Sequence, residues 1–377
     1  MNKSKLDKLF SHYVSNFKKI SYGQNEIYKW EIVQAFQKNF DLNLGNQEFQ
    51  EMLNGLWKKS GNLIDNSAQH SFYALVDYAQ HDTESVKKLF YDLFEDDHGN
   101  LDVRQSKIND FIDGTEELRL KYAPDSWKYV NDQRTVMAYL FLNDPEHNYL
   151  YKATQAHEFA DCVEFYDNWG TGTNFSLAVY YEMCDEVVAA MRENQELMAA
   201  NQQRFQPTET RDLYPDPALH ILCFDLIYSS QLYGLYNGIS YKHLKAAEKK
   251  AILKRREDAN CALEAYQKAK ADMDHLNNVR DYLKKEIVTG KEVRHKIYGI
   301  GTVEVQKNQV ISVRFADSIG VKRFSLLPAF AGGYLKVNEA QSASYIQKNL
   351  KAMRMENCIQ KKLELAKENL EPYQDIL

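Results

Sequence analysis

Apolar residues recur at helical spacing through most of the first 125 positions. The segment EIYKWEIVQAFQKNF sets Ile27, Trp30, Val33, Ala35, Phe36 and Phe40 on one broad stripe, and NQEFQEMLNGLW repeats the pattern with Phe49, Met52, Leu53 and Leu56. HSFYALVDYAQ and TESVKKLFYDLF predict two more helices, with Thr83 ahead of Val86, Leu89, Phe90 and Leu93 in the second. EDDHGN stops that helix, since Gly99 and Asn100 tolerate a positive φ. VRQSKINDFIDGTEELRLKY predicts a last amphipathic helix before Pro124.

The texture changes from residue 126. TVMAYLFL (Thr135–Leu142) is a continuous apolar run of strand length that ends at the turn NDPEHN, and NYLYKA (Asn148–Ala153) resumes as a neighbouring strand or hairpin partner. Helices follow at HEFADCVEFYDNW and NFSLAVYYEMCDEVVAAMREN, the latter with Leu177, Tyr181, Cys184, Val187 and Val188 on one face. Pro207, Pro215 and Pro217 mark an irregular loop, and ALHILCFDLIYSSQLYGLY reads as a buried helix.

Residues 241–289 contain neither proline nor glycine. Ile252, Ala259, Leu263, Tyr266, Met273, Leu276, Val279, Leu283 and Ile287 recur mostly at three, four or seven residues. They predict one helix of roughly 60–70 Å at ~1.5 Å per residue, ended by Gly290. YIQKNLKAMRMENCIQKKLELAKENL predicts a partner helix with Ile346, Leu350, Met353, Cys358 and Leu363 on its stripe, and the two can pair as an antiparallel stalk. Between them lie alternating segments at Glu292–Ile297, Thr302–Val305, Val310–Phe315 and Val321–Leu326. Their turns fall at Gly299–Gly301, Gln306–Gln309 and Asp317–Gly320. Four or five strands with such short connections fit a small curled β-barrel.

Charge sharpens this division. The chain has 377 residues and a net charge of −6, with 27% charged, 44% hydrophobic and 12% aromatic residues, which are globular values. Residues 1–240 carry 21 basic against 36 acidic side chains, a net of −15, whereas residues 241–377 carry 26 against 17, a net of +9. Two modules with different partners are expected from such asymmetry, although solvated helix faces alone also produce charge bias. No apolar run approaches the ~18 residues of a membrane span, and MNKSKLDKLFSHYV lacks the apolar core of a secretory signal. Five dispersed cysteines without a CxxC read as reduced thiols, so a cytoplasmic location is expected.

Catalytic motifs are hard to find. No G-x-x-x-x-G-K-(S/T) and no G-x-S-x-G occur. HEFAD (157–161) puts Asp161 where the second zinc histidine would stand, so His157 and Asp161 read as a solvated helix face. EDDHGNLD departs from the calcium-loop template at His98, and GTGTN (170–174) lacks a phosphate-loop lysine. The carboxylates Asp161, Glu164, Asp167, Asp185 and Glu186 leave room for a metal-dependent nuclease of loose Asp/Glu-x-Lys spacing. No cofactor and no metal site is expected.

The stretch VRHKIYGIGTVEVQKNQVISVRFADSIGVKRFSL resembles the small Tudor-like barrel at the carboxy end of UvrD/PcrA-type helicases. Val293, His295, Tyr298, Gly299, Gly301, Val303, Val313, Phe315, Gly320, Lys322 and Phe324 occupy the family's pattern over about 45 residues. The resemblance implies a module that docks on transcription machinery or nucleic acid. Its expected contact residues are Arg294, Lys296, Tyr298, Lys307, Arg314, Lys322, Arg323 and Phe324, within a segment that holds eight basic against three acidic side chains. A second resemblance links YLFLNDPEHNYLYKATQAHEFADCVEF, YYEMCDEVV and HILCFDLIYSS to the accessory region ahead of the AAA+ motor in McrB-like restriction and defence proteins, with no motor following.

These readings combine into an α+β chain with a mostly helical acidic body and a long helical stalk carrying an SH3/Tudor-like β-barrel. Its parts are a helical subdomain (1–125), an α+β subdomain of the same body (126–240), the stalk helix (241–289), the barrel (290–337) and a terminal helix packed on the stalk (338–377). The expected role is a non-enzymatic adaptor for nucleic acid or a nucleic-acid-processing complex, with a separate ATPase as a candidate partner and no membrane. Two alternatives stay open: a protein-only scaffold dimerised through the stalk helices, and the metal-dependent nuclease.

Overall fold

Local signals start most of the helices. Asn2 caps α1 (Lys3–Lys18) by accepting the Lys5 amide at 3.2 Å, and one turn of π-helix continues it through Lys19–Gly23. There follow α2 (Tyr28–Asn39), α3 (Asn46–Ile64), α4 (Ser71–His81), α5 (Thr83–Phe94) and α6 (Leu101–Tyr122). Asn100 is not the left-handed residue before α6. His98 and Gly99 take the positive φ values, while the Asn100 side chain caps α6 through the amides of Asp102 and Val103. The chain then forms α7 (Gln133–Asn143), α8 (Ala153–Val163), α9 (Leu177–Glu193), α10 (Gln195–Gln202), α11 (His220–Leu232) and the 41-residue α12 (Ala246–Glu286), about 60 Å long. The computed structural model describes residues 1–206, 209–307 and 309–376, so Pro207 and position 308 of the Gln306–Gln309 turn lie outside the described residues. It divides into two units, Met1–Lys250 and Ala251–Leu377.

The strands expected at Thr135–Leu142 and Asn148–Ala153 are not there. The first is α7, and its capping box makes it one: the Asp132 carboxylate accepts the Thr135 amide at 3.0 Å, and the Thr135 hydroxyl accepts the Asp132 amide at 2.9 Å. Val136 through Leu142 are all buried, so an apolar run on every face here means a helix enclosed by other helices. Asn148–Lys152 has no regular secondary structure and joins no sheet, although Tyr149, Leu150 and Tyr151 are buried. Among the described residues the first unit is therefore helical rather than α+β between 126 and 240. The helix expected through Trp169 stops at Val163, where Glu164 turns left-handed.

One core joins Leu6 to Ile239, and a knot of charge sits inside it. Asp225, on α11, is fully buried. It accepts from Lys29 on α2 and Tyr13 on α1, and Arg204 lies 3.5 Å away in the short 3-10 turn Gln203–Phe205. Lys29 also pairs with Glu26 at 2.9 Å, and Arg204 reaches Asn201 at 2.7 Å and Ser21 in the π-turn at 2.9 Å. Aromatic faces enclose both cations: Arg204 lies 4.2 Å from the Trp30 ring and 4.5 Å from Phe17, and Lys29 lies 4.4 Å from Tyr228. Two cations and two carboxylates thus cancel in a site without solvent, which makes each of them costly to remove.

The second unit holds the sheet. Its elements are β1 (Glu292–His295), β2 (Gly299–Lys307), β3 (Val310–Arg314), β4 (Val321–Ser325), a short helix α13 (Leu326–Ala331), β5 (Leu335–Val337), α14 (Ala340–Arg354) and α15 (Glu356–Leu370). The strands are antiparallel in the order β4-β3-β2-β1-β5 and curl into a half-barrel, with a bulge between Val303 and Val305. Its concave face is filled by α12: Leu276, Val279, Leu283 and Ile287 share one core with Val293, Val303, Ile311, Val313 and Phe315. The terminal helix is two helices, because the chain breaks at Met355. The break resets the phase, leaving Cys358 exposed and turning Ile359 and Ala366 inward. Arg280 pairs with Glu356 and Arg255 with Asp375 at 2.8 Å, so α15 runs antiparallel along α12.

Two outcomes are expected for the body. Asp225→Ala leaves Arg204 and Lys29 short of countercharge in the core and should cost about 3–5 kcal/mol in urea unfolding followed by tryptophan fluorescence. Asp216, which accepts the Ile221 and Leu222 amides, has its carboxyl pushed up to about 7 by burial. An unfolded Asp releases its proton near pH ~4, so the folded state alone holds that proton between about pH 4 and about pH 7, and stability falls as pH rises across that window. Asp216→Asn should flatten this fall, measured as urea midpoints at about pH 5 and about pH 7.5.

Candidate functional site

Strand register sorts the eight expected contact residues into three places. Arg294 and Lys296 stand with Lys336 beside the sheet's β5 edge, since Arg294 lies opposite both Ile300 on β2 and Lys336 on β5. Tyr298, Lys322 and Phe324 belong to an aromatic cluster at the mouth of the half-barrel. Arg314, Arg323 and Lys307 occupy the outer β2–β3–β4 surface, where Arg314 is paired with Glu304. Period-two alternation explains the division between Lys322 and Arg323: neighbours in a strand face opposite sides, with Lys322 opposite Val313 and Arg323 opposite Ser312.

The aromatic cluster closes the barrel's end. His295 is buried and stacks on Tyr298 with ring centroids 4.3 Å apart; Phe324 lies 5.4 Å and Phe315 5.9 Å from the same imidazole. His295 Nδ1 accepts the amides of Ile297 and Tyr298, both at 3.1 Å, which sets the hairpin turn and assigns the ring proton to Nε2. Lys322 Nζ stands 5.9 Å from the Tyr298 ring. Gly299 and Gly320 have φ of +76° and +68°, and Gly301 packs against Phe315 so closely that a Cβ would lie 2.6 Å from its ring. The rings of Tyr298 and Phe324 are therefore engaged with one another's neighbours instead of forming an open platform.

Beside this cluster a groove of about 710 Å³ opens between β1, β5 and α14. Its walls carry Arg294, Lys296, Lys336 and Arg354, and its floor carries Phe330, Leu335, Val337, Ile346 and Leu350, with no carboxylate in the lining. Arg354 Nε is anchored on the Ala331 carbonyl at 3.0 Å. Among the described residues no ion pair or side-chain hydrogen bond engages Arg294, Lys296 or Lys336. The nearest acidic groups along the chain are committed elsewhere: Glu339 pairs with Lys291 at 2.6 Å, and Glu292 accepts from Asn338 at 2.9 Å. On the sheet's outer side and hairpin tip, Ile297, Ile300 and Tyr334 are 79%, 58% and 58% exposed. Of this groove the charge pattern showed Arg294 and Lys296. Arg354, Ile346 and Leu350 were hidden because a helical stripe does not say which partner it faces.

His157 and Asp161 do not form a solvated face. His157 stacks on Trp169 at 4.6 Å, and burial lowers its pKa from the usual value. Asp161 is buried, with His243 Nδ1 at 3.0 Å and an ion pair to Lys249, while Glu158 accepts from Tyr241. The helix face thus fastens the segment that leads into α12. Among the described residues no group of three or more His, Cys, Asp or Glu side chains could hold a metal ion, and no helix is long and apolar enough to cross a membrane. No protein-family model matches the chain, and no curated protein or solved structure matches it.

Replacing Gly301 with valine forces branched carbon atoms into Phe315 and the Arg314 carbonyl, 2.6 and 2.8 Å from the new Cβ. Overpacking of this kind costs about 1–3 kcal/mol. Hydrogen exchange in β2 and β3 should quicken accordingly, with α11 unchanged.

Proposed function

We propose that this protein is a non-enzymatic adaptor whose C-terminal unit is a Tudor-like docking module for an anionic macromolecule. The observation that carries the reading is the groove: three cations, Arg294 on β1, Lys296 just after it and Lys336 on β5, that have no carboxylate partner among the described residues, with a fourth, Arg354, on α14. Unpaired cations grouped in a concavity raise the local concentration of anionic ligands and accelerate their capture. The Tudor-like assignment is supported by the glycines at 299, 301 and 320 and by the His295–Tyr298 stack, which stand at the positions of the helicase-borne pattern. That likeness favours a partner within nucleic-acid-processing machinery. The negative charge of residues 1–240 favours a division of labour in which the body itself does not hold polyanions.

The test uses the full chain with fluorescent polyglutamate and a thymidine oligonucleotide as probes, followed by anisotropy across a salt series. At least one probe should bind saturably and weaken as salt rises. Joint replacement of the exposed Lys296 and Lys336 by glutamate should weaken it by about tenfold or more. Absence of saturable binding to both probes at low salt, or binding indifferent to the double replacement, would overturn the reading.

A further inference from the structure

The groove is more than cationic, and its second property selects among anions. Resting on the docking role just proposed, we infer that its occupant is an acidic protein segment that carries aliphatic side chains, not a nucleic acid strand. The floor is aliphatic where it is open: Ile346 and Leu350 on α14 are half-buried beneath the charged wall, while Leu335 and Val337 behind them are already packed in the core. Burying one leucine-sized side chain of a ligand against such a floor is worth about 1.5–3 kcal/mol, a gain that phosphates and sugars cannot collect. Single strands gain affinity instead by stacking bases on exposed rings. Most rings near this groove are engaged: His295, Tyr298, Phe315 and Phe324 contact one another and Phe330 is 2% exposed, so Tyr334, at 58% exposed, offers a single open face where successive bases would need several.

Charge complementarity fixes the sign of the ligand. Arg294, Lys296 and Lys336 face it from the sheet and Arg354 from α14, so carboxylates spaced along a chain meet cations on both sides while apolar residues between them point to the floor. The exposed Ile297, Ile300 and Tyr334 extend apolar contact beyond the groove itself. The groove's volume of about 710 Å³ is within the range of sites that hold a compact ligand or a short peptide stretch.

The experiment fills the groove without touching its charges. Ala343 is an exposed lining residue on α14, so Ala343→Trp occludes the floor while every cation stays, and circular dichroism confirms that the helix persists. Three fluorescent probes are titrated against the full chain: a synthetic glutamate-rich peptide with leucine at every fourth position, the same peptide with serine for leucine, and a thymidine oligonucleotide. The leucine peptide should bind about tenfold tighter than either of the others, and Ala343→Trp should abolish that advantage. If the oligonucleotide binds best, or the serine peptide binds as well as the leucine peptide, or Ala343→Trp changes nothing, the inference falls while anion docking stands. If none of the three binds, the docking role itself falls.

Discussion

Asp225 has no solvent with which to share its charge, and much of the first unit is arranged around that fact. A carboxylate taken out of water is tolerable only with countercharge and hydrogen bonds at close range. Lys29, Arg204 and Tyr13 supply them from three separate segments, and Glu26 balances the remaining positive charge. These groups are drawn from α1, α2, the turn after α10 and α11, so the same interaction that neutralises the core also fixes how the first and last parts of the body meet. The π-turn at Lys19–Gly23 fits the scheme, because it brings the Ser21 hydroxyl within reach of Arg204. Apolar packing alone would tolerate several arrangements of such helices; a closed charge network with this directionality tolerates far fewer.

The second unit obeys a different constraint. Five short strands curl into a half-barrel but cannot seal it, and the missing wall comes from the last four turns of α12 together with α13. Because helices complete the core, the sheet leaves an edge strand, β5, beside α14, and the groove lies where that edge and that helix part. The groove is thus a consequence of an incomplete barrel. Among the described residues Arg294, Lys296 and Lys336 have no ion pair, and the neighbouring carboxylates serve Lys291, Arg314 and Asn338. The rings of Tyr298, Phe315 and Phe324, by contrast, pack around His295.

Long periodic segments are legible in the sequence: the 41-residue α12, the amphipathic α5, the buried α11 and the succession of short strands after Gly290 each follow from local spacing and turn chemistry. Thr135–Leu142 shows where that legibility stops. An apolar octet satisfies a central strand and an enclosed helix equally well, and the deciding feature was a reciprocal cap at Asp132 and Thr135 that hydrophobic pattern does not weigh. Cys358 shows a related limit, since one non-helical residue at Met355 shifts every later residue to a new face.

Sequence alone therefore determined which segments are helical over long spans and where the charge changes sign, but it set the first bend of the sheet at Gly299–Gly301, whereas both glycines pair within β2 and the turn is Lys296–Tyr298. These properties depend on neighbours within a few positions, where backbone geometry and side-chain spacing act directly. Tertiary structure alone decided that Asp225 would sit among Lys29, Arg204 and Tyr13, that Lys322 and Arg323 would part to opposite faces, and that Arg294, Lys336 and Arg354 would share one groove. Each of those outcomes joins residues distant in the chain, or selects one of two equivalent faces, and only the packing of whole elements against one another supplies that information.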